Sequence, residues 1–370
     1  MPEVFEFCDD LGPAKVIHVH EPTIGLKGIL VVDNVAAGPS IGGLRMAPDV
    51  SVSECHRLAR AMTLKSAAAG LPHGGGKSVL FGEPRQGNAD KERLIRGFAY
   101  ALRNEADYIF GPDMGTDELC MAWVKDEIGR SVGLPREVGG IPLDEIGATG
   151  WGVFNAIETA LPDAGFELAG ATVAIQGYGA VGRHTARFLA EREAIIVAAS
   201  DSQGTIVNPT GLDLAELDSA KKNGGSVTDA NCGEARDRDA IIDIACDIWV
   251  PAARPDVVTE ANVDRLQTKL VAQGANIPFT DAAERSLHER GVLCLPDFIA
   301  NAGGVICAAM EYAGASQSAA FDAIAEKIRY NTRAVIDLAK VNGFIPREVA
   351  ISMATDRVHL AMATRRWSIF

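Results

Sequence analysis

The sequence has little of what marks a secreted, metal-binding or membrane-spanning protein. Its seven cysteines are odd in number and show no C-x-x-C spacing, so we expect reduced thiols and neither a disulfide framework nor a zinc site. No H-E-x-x-H motif occurs, and no apolar run reaches the ~18 residues that cross a bilayer. The first residues lack the apolar segment of a secretory signal. These absences predict a cytoplasmic protein with no metal site and no membrane contact.

Positive charge is also scarce. The chain has 35 Lys and Arg residues against 49 Asp and Glu residues, which gives a formal net charge of -14. An acidic surface disfavours non-specific binding to nucleic acid, although a local pair of lysines can still bind a small anion. Because a domain takes about 150 residues on average, the chain of 370 residues is expected to form two or three domains.

The most informative stretch of the chain runs from residue 62 to residue 78. Lys65 and Lys77 are separated by small side chains, and Gly74–Gly76 lead directly into Lys77. A lysine is costly to bury unless it is paired or catalytic, and glycines let backbone or ligand approach closely. We predict a dry pocket with two positive charges, in which Lys65 stays charged while burial disfavours the charged form of Lys77. The glycines would leave room for a ligand to reach Lys77.

The same stretch permits a phosphate-loop interpretation. Gly76-Lys77-Ser78 ends like G-x-x-x-x-G-K-[ST], but that motif needs a glycine where Leu71 stands. The motif also needs a strand before the loop, whereas the preceding residues predict a helix. A phosphate-loop nucleotide enzyme is therefore disfavoured.

The first half of the chain alternates between predicted strands and helices. We predict strands at residues 15–20, 28–33, 78–82 and 108–110, a glycine-rich turn at 38–46, and helices from Ser53, from Asp90 and over 117–129. Residues 131–147 are predicted as a loop that leads to a domain boundary. Asp113 follows strand 108–110, and a carboxylate at that place faces a cleft or only caps a turn.

The second half contains a G-x-G-x-x-G motif at residues 177–182, between a predicted strand and a predicted helix. The next strand ends at Asp201, about 20 residues further on, where a carboxylate can bind the ribose hydroxyls of a dinucleotide. We therefore predict NAD as the cofactor, and NADP is less favoured because its 2′-phosphate would meet the charge of Asp201. The candidate cofactor-binding residues here are Gly177, Gly179, Ala180, Val181, Gly182, Asp201, Ser202 and Ala252.

Further strand and helix signals follow the motif. Predicted strands at residues 246–250, 269–273 and 292–295 alternate with helical segments, which is typical of a parallel, doubly wound sheet. From Asn301 onward the chain is predicted as helices. A nicotinamide site together with a pocket that holds two lysines and an aspartate fits the oxidative deamination of an α-amino acid to a 2-oxo acid and ammonia.

Several of these stretches resemble the glutamate/leucine/phenylalanine/valine dehydrogenase family. The resemblance is carried by residues 42–46, 74–77, 111–113, 149–150, 177–182 and 296–305. It implies an α/β fold of two domains separated by a cleft: an N-terminal substrate domain at residues 1–147, a Rossmann-type NAD-binding domain at 148–315, and C-terminal helices at 316–370 that pack back on the first domain. It also implies a homo-oligomer.

The resemblance implies a role for individual residues. Lys77 matches the catalytic lysine that activates water, Asp113 the acid and base that serves the amino group, and Lys65 the residue that binds the substrate α-carboxylate. The main chain at Gly42 and Gly43 matches a wall of the substrate pocket. The positions around the nicotinamide ring and the substrate carboxylate are matched by Thr149, Asn276 and Asn301.

The substrate side chain is predicted from two positions. Glutamate-specific members carry a lysine where this chain has Ile41, and a hydroxyl residue shortly after the Asn-Ala-Gly-Gly-Val stretch, where this chain has Ala308. A γ-carboxylate without a charge partner would be desolvated and unpaired. We therefore predict an apolar substrate of the leucine, valine or phenylalanine type, with glutamate as the alternative. The sequence suggests no role for Trp151.

A non-catalytic nucleotide-binding relative remains a further alternative. The presence of both lysines and of Asp113 argues against it.

Overall fold

The computed structural model describes residues 5–222 and 224–365, which form two compact units. The first unit comprises the described residues of Met1–Leu143, Val305–Ala323 and Ile351–Phe370; the second comprises those of Asp144–Gly304 and Ile324–Ala350. The prediction that the first residues lack a secretory signal includes residues 1–4, which lie outside the described residues. Among the described residues, no helix is long and apolar enough to span a membrane.

The first unit is built on a mixed sheet of five strands, among the residues that the structure describes. Its strands are β1 (Lys15–Glu21), β2 (Leu26–Asn34), β3 (Ser40–Ala47), β4 (Gly74–Phe81) and β5 (Tyr108–Pro112), in the order β1-β2-β4-β3-β5. β3 is parallel to both β4 and β5, whereas β2 is antiparallel to β1 and β4.

Two expectations for this sheet were wrong. Residues 38–46 were predicted as a turn, but most of them form β3, and β4 begins at Gly74 instead of residue 78. The reason is steric: a Cβ on Gly42 would stand 2.0 Å from the carbonyl oxygen of Gly76. These glycines therefore allow close strand pairing, and they do not mark a break in the chain.

Helices cover both faces of this sheet. Leu30, Leu80 and Phe110 pack with α2 (Asn88–Ala101) and α3 (Glu118–Ile128), whereas Ile29 and Val79 pack with α1 (Val52–Ala68). The alternation follows from the two-residue period of a strand. The side chain that caps α1 is that of Ser51, not Ser53, because its oxygen accepts the backbone N–H of Glu54.

The second unit contains a sheet of seven described strands. They are β6 (Thr172–Gln176), β7 (Ile195–Ser200), β8 (Thr205–Val207), β9 (Glu234–Arg236), β10 (Ile248–Pro251), β11 (Leu270–Ala272) and β12 (Leu293–Leu295). In the order β12-β11-β10-β6-β7-β8-β9, the first five strands are parallel and the last two are antiparallel additions. The predicted doubly wound sheet is confirmed, with a switch point at β6, where dinucleotides bind in such sheets.

Most of the remaining helices lie in stretches that were predicted as helical, but one helix and one 3-10 helix fall within residues 131–147, which were predicted as a loop. The remaining helices are α4 (Leu143–Ile146), α5 (Ala148–Ala164), α6 (Ala180–Ala190), α7 (Leu214–Lys222), α8 (Asp281–Glu289), α9 (Asp297–Ala300), α10 (Gly303–Tyr312), α11 (Gln317–Asn342) and α12 (Pro346–Thr364). Short 3-10 helices lie at Arg136–Val138, Val227–Asp229, Arg238–Asp243 and Val263–Arg265. Trp151 stacks on Phe154 at 5.1 Å between ring centroids and meets Phe188 edge-on at 5.0 Å, so it helps to pack α5 against α6.

The C-terminal residues are divided between the units, whereas the sequence predicted that 316–370 would pack as one block on the first domain. Residues 324–350 stay with the second unit because α5 holds them through Asp163. Both oxygens of that carboxylate bind Arg333, at 2.7 and 3.1 Å, and one of them also binds Lys340. Residues 351–365 lie in the first unit, where Arg357 donates hydrogen bonds to the last carbonyls of α1.

Candidate active site and dinucleotide site

Two catalytic candidates meet on one face of the first sheet. The Nζ atom of Lys77 lies 2.7 Å from the Oδ2 atom of Asp113, and Nε of Arg45 lies 2.9 Å from the same oxygen. Lys77 is on β4, Arg45 is on β3, and Asp113 directly follows β5. Because β3 lies between β4 and β5, its register brings the three side chains together. Lys77 is almost fully buried, with 7% of its side chain exposed.

Gly43 lies directly beneath this cluster. A Cβ on Gly43 would stand 2.7 Å from Cβ of Asp113 and 3.1 Å from Nζ of Lys77. The first distance is shorter than a real Cβ contact and the second is tight, so the ion pair occupies the space that a side chain at position 43 would need. Gly43 thus has a steric role beside the one that the resemblance implied for its main chain.

The charge of Asp113 is stabilised by its neighbours. Burial by itself raises the pKa of this carboxyl, but Lys77 and Arg45 outweigh that effect, so the pKa lies below its usual value. The backbone N–H of Asp113 also donates to Oγ1 of Thr116 at 3.0 Å, which fixes the turn after β5. The structure therefore holds an ionised carboxylate in contact with Nζ of the buried Lys77.

Arg45 also contacts a second carboxylate, and neither residue was predicted as part of the site. Nη1 of Arg45 lies 2.5 Å from Oε1 of Glu54, in the first turn of α1. Arg45 falls within the Gly-Gly-Leu-Arg stretch, and its position two residues after Gly43 puts both on the same strand face. The two-residue spacing from Gly43 could have predicted that Arg45 lies near the site, whereas nothing in the sequence predicted a role for Glu54.

The glycines before Lys77 do not clear a path for a ligand. A Cβ on Gly75 would stand 1.9 Å from the backbone nitrogen of Thr63, and one on Gly74 would stand 1.7 Å from the carbonyl oxygen of Asn34. The space is filled by the backbones of α1 and β2, so the interpretation as ligand clearance was wrong. The close approach seats α1 on β4, and Lys65 lies in the last turn of that helix.

The two positions from which the substrate was predicted are both buried in the first unit. Ile41, on β3, is 3% exposed and lies on the same strand face as Gly43 and Arg45. Ala308, on α10, is 7% exposed. Their own side chains carry no charge.

The glycine motif adopts the geometry of a dinucleotide site. Gly177 has φ of +100°, which a tight turn after β6 requires, and a Cβ on Gly182 would stand 2.0 Å from the carbonyl oxygen of Gly177. A Cβ on Gly179, by contrast, would meet nothing within 4 Å. Gly179 precedes Ala180 and Val181 in the first turn of α6, so the open space lies at a helix N-terminus, which favours a phosphate.

A cavity of about 380 Å³ lies at this turn. Its lining includes part of the glycine motif, the residues after β7 and β10, and the cationic side chains of Lys221, Arg238 and Arg254. The other lining residues are Gln176, Gly177, Tyr178, Gly179, Asp201, Ser202, Ala252 and Ala253. The Oε1 atom of Gln176 is buried and has no hydrogen-bond partner within the described chain. An unpartnered acceptor, an open glycine and cationic walls together fit the polar part of a nicotinamide dinucleotide.

Asp201 is already bound by the protein. Its Oδ2 atom accepts from Nζ of Lys221 and from the backbone N–H of Val227, at 2.8 and 2.9 Å, and its Oδ1 atom accepts from the hydroxyl of Ser226 at 2.9 Å. Burial raises the pKa of this carboxyl, but Lys221 and the other donors lower it to about 2. Lys221 was not predicted from the sequence, because it lies on α7, between β8 and β9, in a stretch that carries no recognisable motif.

Three further candidates lie near one another in the second unit. Nδ2 of Asn301 donates to Oδ1 of Asn276 at 2.9 Å, while the buried Oδ1 of Asn301 has no partner among the described residues. A Cβ on Gly303 would stand 3.1 Å from Cα of Thr149, so the first turn of α5 packs against the start of α10. A buried acceptor without a partner is unusual in a folded protein, and a bound ligand could satisfy it.

A buried ionic network supports the loop that carries Asn276. Arg347 donates to Oε2 of Glu284 at 2.5 Å and to Oδ1 of Asp297 at 2.9 Å. The Oδ2 atom of Asp297 accepts the backbone N–H of Ile277 at 2.9 Å. Ile277 has φ of +48°, an unfavourable conformation for a β-branched residue, so this hydrogen bond holds a strained backbone next to Asn276.

Comparison with known proteins gives matches over most of the chain. Residues 139–366 match a family model described as Glutamate/Leucine/Phenylalanine/Valine dehydrogenase, and residues 13–130 match one described as Glu/Leu/Phe/Val dehydrogenase, dimerisation domain. A glutamate dehydrogenase of Aeropyrum pernix is 37% identical over 90% of this chain and 85% of its own length. An NADP(+)-dependent glutamate dehydrogenase of Pyrobaculum calidifontis is 37% identical over 92% of this chain and 87% of its own length. Among solved structures, the hetero-hexameric glutamate dehydrogenase of Thermus thermophilus in its Leu-bound form superposes with a TM-score of 0.84 and 27% identity, over 94% of this chain and 89% of that one.

Proposed function

The chain belongs to the glutamate/leucine/phenylalanine/valine dehydrogenase family, and from that premise we propose that it catalyses the reversible oxidative deamination of L-glutamate to 2-oxoglutarate and ammonia. The observation that carries the reaction is the buried pair of Lys77 and Asp113, 2.7 Å apart. The choice of glutamate is supported by relatives that are named glutamate dehydrogenase and are 37% identical to this chain.

Each candidate residue of the first unit has its own role in this chemistry. The carboxylate of Asp113 accepts a proton from the substrate ammonium group. Its lowered pKa means that it is ionised, and so has a free site for the proton, before this step. Nζ of Lys77 holds the water that adds to the carbon of the 2-imino acid before ammonia departs. Lys65 binds the α-carboxylate, and the main chain at Gly42 and Gly43 forms a wall of the substrate site.

The second unit supplies the cofactor site. The dinucleotide, when bound, supplies the acceptor for the hydride that leaves the α-carbon. The N-terminus of α6 and the open space at Gly179 hold its pyrophosphate. Asn276, Asn301 and Thr149 orient its nicotinamide end, and the unpartnered oxygen of Asn301 accepts a hydrogen bond there.

Glutamate replaces the apolar substrate that the sequence predicted, since the named relatives support glutamate instead. One observation still favours an apolar amino acid as the second candidate. Ile41 is buried on the strand face that carries the ion pair, and its own side chain offers no positive charge to a γ-carboxylate. A glutamate enzyme must therefore bind that carboxylate from another position.

Both NAD and NADP fit the cofactor site, with NAD preferred. Asp201 carries a negative charge that repels a 2′-phosphate, which was the sequence-based reason to favour NAD. Lys221 neutralises much of that charge at 2.8 Å, and Arg238 and Arg254 line the same cavity. We therefore propose NAD as the preferred cofactor, with NADP as the alternative that these three cationic side chains support.

The deciding assay follows the absorbance of the reduced cofactor during turnover. The purified chain is incubated with NAD or NADP and with L-glutamate, L-leucine, L-valine or L-phenylalanine, and a Lys77→Ala variant serves as the inactive control. Fastest turnover of glutamate supports the proposal, whereas fastest turnover of an apolar amino acid replaces it with the second candidate. No turnover with any amino acid would refute the dehydrogenase assignment.

The chain also acts as an oligomer in this proposal. Two observations support it. The family model that matches residues 13–130 is described as a dimerisation domain, and the similar Thermus thermophilus structure is described as hetero-hexameric. Light scattering after size-exclusion chromatography measures the mass, and a monomer at micromolar concentration would contradict the proposal.

A further inference from the structure

Arg45 lies between two carboxylates and has no part in the function described so far. Its Nε atom lies 2.9 Å from Oδ2 of Asp113, and its Nη1 atom lies 2.5 Å from Oε1 of Glu54. With 17% of its side chain exposed, Arg45 is largely removed from solvent. The oxygen that it contacts is the one that Lys77 also contacts, at 2.7 Å. Two cations thus compete for a single carboxylate oxygen.

The two cations differ in what they can do. Lys77 has a second task, because it must turn to the water and the carbon of the substrate during the reaction. Arg45 has no such task and cannot lose its proton in the working pH range of a protein. Glu54 holds the other side of the guanidinium, so the orientation of Arg45 does not depend on Lys77. Arg45 can therefore stay on Asp113 while Lys77 leaves it.

We propose that Arg45 is a positioning residue that keeps Asp113 charged and correctly oriented throughout turnover, and that Glu54 fixes Arg45 in place. The inference rests on the proposed amino-acid dehydrogenase activity, and it assigns a role that the family resemblance did not supply. Arg45 acts through Asp113 and is not itself a catalytic residue.

The surroundings of Asp113 set the direction of the effect. Lys77 faces it from β4 and Arg45 from β3, while Glu54 and the Cys55 thiol belong to α1 and Tyr108 to β5. Burial raises the pKa of Cys55 to about 12, and it also holds the pKa of Tyr108 well above its ordinary value, so both groups are neutral near pH 7. Besides Lys77, the fixed positive charge at Asp113 therefore comes from Arg45.

Loss of Arg45 should change how activity depends on pH. Burial alone raises the pKa of Asp113, and an opposite charge in contact lowers a carboxyl pKa by about one unit or more. An Arg45→Gln variant should therefore move the acidic limb of the pH profile of kcat/KM for the amino acid upward by about one pH unit. The value of kcat should fall more than KM rises, because Asp113 loses the contact that orients it for proton transfer.

Two conservative variants separate charge from geometry. Arg45→Lys keeps the positive charge but cannot bridge Asp113 and Glu54, so the acidic limb should stay near that of the unchanged enzyme while kcat remains reduced. Glu54→Gln leaves Arg45 in place with a weaker anchor and should reduce kcat less than Arg45→Gln does. Arg96→Gln is the matched control, because Arg96 contacts Glu92, Asp126 and Glu127 in the same unit and should leave the profile unchanged.

The outcomes distinguish this inference from the proposed function. If the unchanged enzyme turns over no amino acid, the proposed function fails. If it is active and Arg45→Gln keeps the acidic limb of the unchanged enzyme, the positioning role alone is refuted. Thermal unfolding of each variant shows whether it folds. Should Arg45→Gln fail to fold, Arg45→Lys decides: an acidic limb near the original with lower kcat supports the role, and full activity overturns it.

Discussion

Arg347 provides a sharp test of how the second unit is stabilised. Its side chain is 12% exposed, while those of its partners Glu284 and Asp297 are 1% and 7% exposed. Substitution of Arg347 by Met would leave two buried carboxylates facing each other without a cation. Removal of one partner from a buried ion pair costs about 3–5 kcal/mol. We expect Arg347→Met to lower the free energy of unfolding by that amount.

The effect should depend on pH in a defined direction. Burial raises the pKa of Glu284 above its ordinary value of 4.5, although Arg347 opposes the shift. A carboxyl whose folded pKa is raised binds protons more tightly in the folded state, so its contribution to stability falls as pH rises above 4.5. Without Arg347 the shift becomes larger. The destabilisation by Arg347→Met should therefore be small in acid and greatest near neutral pH.

Urea unfolding followed by circular dichroism at several pH values measures this loss. Arg265→Met is the matched control, since Arg265 forms a pair with Asp243 in the same unit but both side chains are about half exposed, at 43% and 54%. An exposed pair contributes about 1 kcal/mol or less, so the control should change little. A loss below about 1 kcal/mol for Arg347→Met at neutral pH would refute the reasoning from burial. Recovery of stability by the added change Glu284→Gln would support it.

Three further predictions follow from single contacts. Gly43→Ala should reduce kcat about 100-fold, because the Cβ of the new alanine would displace Asp113. Gly82→Ala is the control and should leave kcat unchanged, because a Cβ there makes only ordinary contacts at 3.6 Å or more. Equal activity of the two variants would contradict the steric argument. Lys221→Gln should lower kcat/KM for NADP relative to NAD by about fivefold, and an unchanged ratio would remove Lys221 from cofactor selection. Ile277→Gly should raise the free energy of unfolding by about 1 kcal/mol by relieving its left-handed backbone, and thermal unfolding at a lower temperature would contradict this.

Much of the fold could be predicted because its signals are local. The strand before Gly177, the helix after it and the acid at position 201 are spaced as a dinucleotide unit demands, and each lies close to its predicted place. The errors occurred where glycine served close packing. Gly42 and Gly75 were interpreted as turn or clearance because a glycine in a sequence does not reveal which neighbouring backbone occupies the space of its missing side chain.

The C-terminal helices show a second limit of the sequence. The sequence predicted that the chain is helical from Asn301 onward, but it did not predict which unit each helix joins. Residues 324–350 belong with the second unit because Arg333, Lys340 and Arg347 reach carboxylates on α5, α8 and α9. A basic residue on an amphipathic helix has many possible partners, and the choice depends on how the helix docks.

The sequence by itself determined the family and predicted the main candidate site residues, because Lys77, Asp113 and the glycine motif stand in short stretches of consecutive residues. The tertiary structure alone decided which charges meet. The paired residues are far apart in sequence: 68 positions separate Arg45 from Asp113, 63 separate Arg347 from Glu284, and 20 separate Lys221 from Asp201. Strand register and helix docking bring these pairs within hydrogen-bond distance, and neither is encoded in the spacing of the residues along the chain.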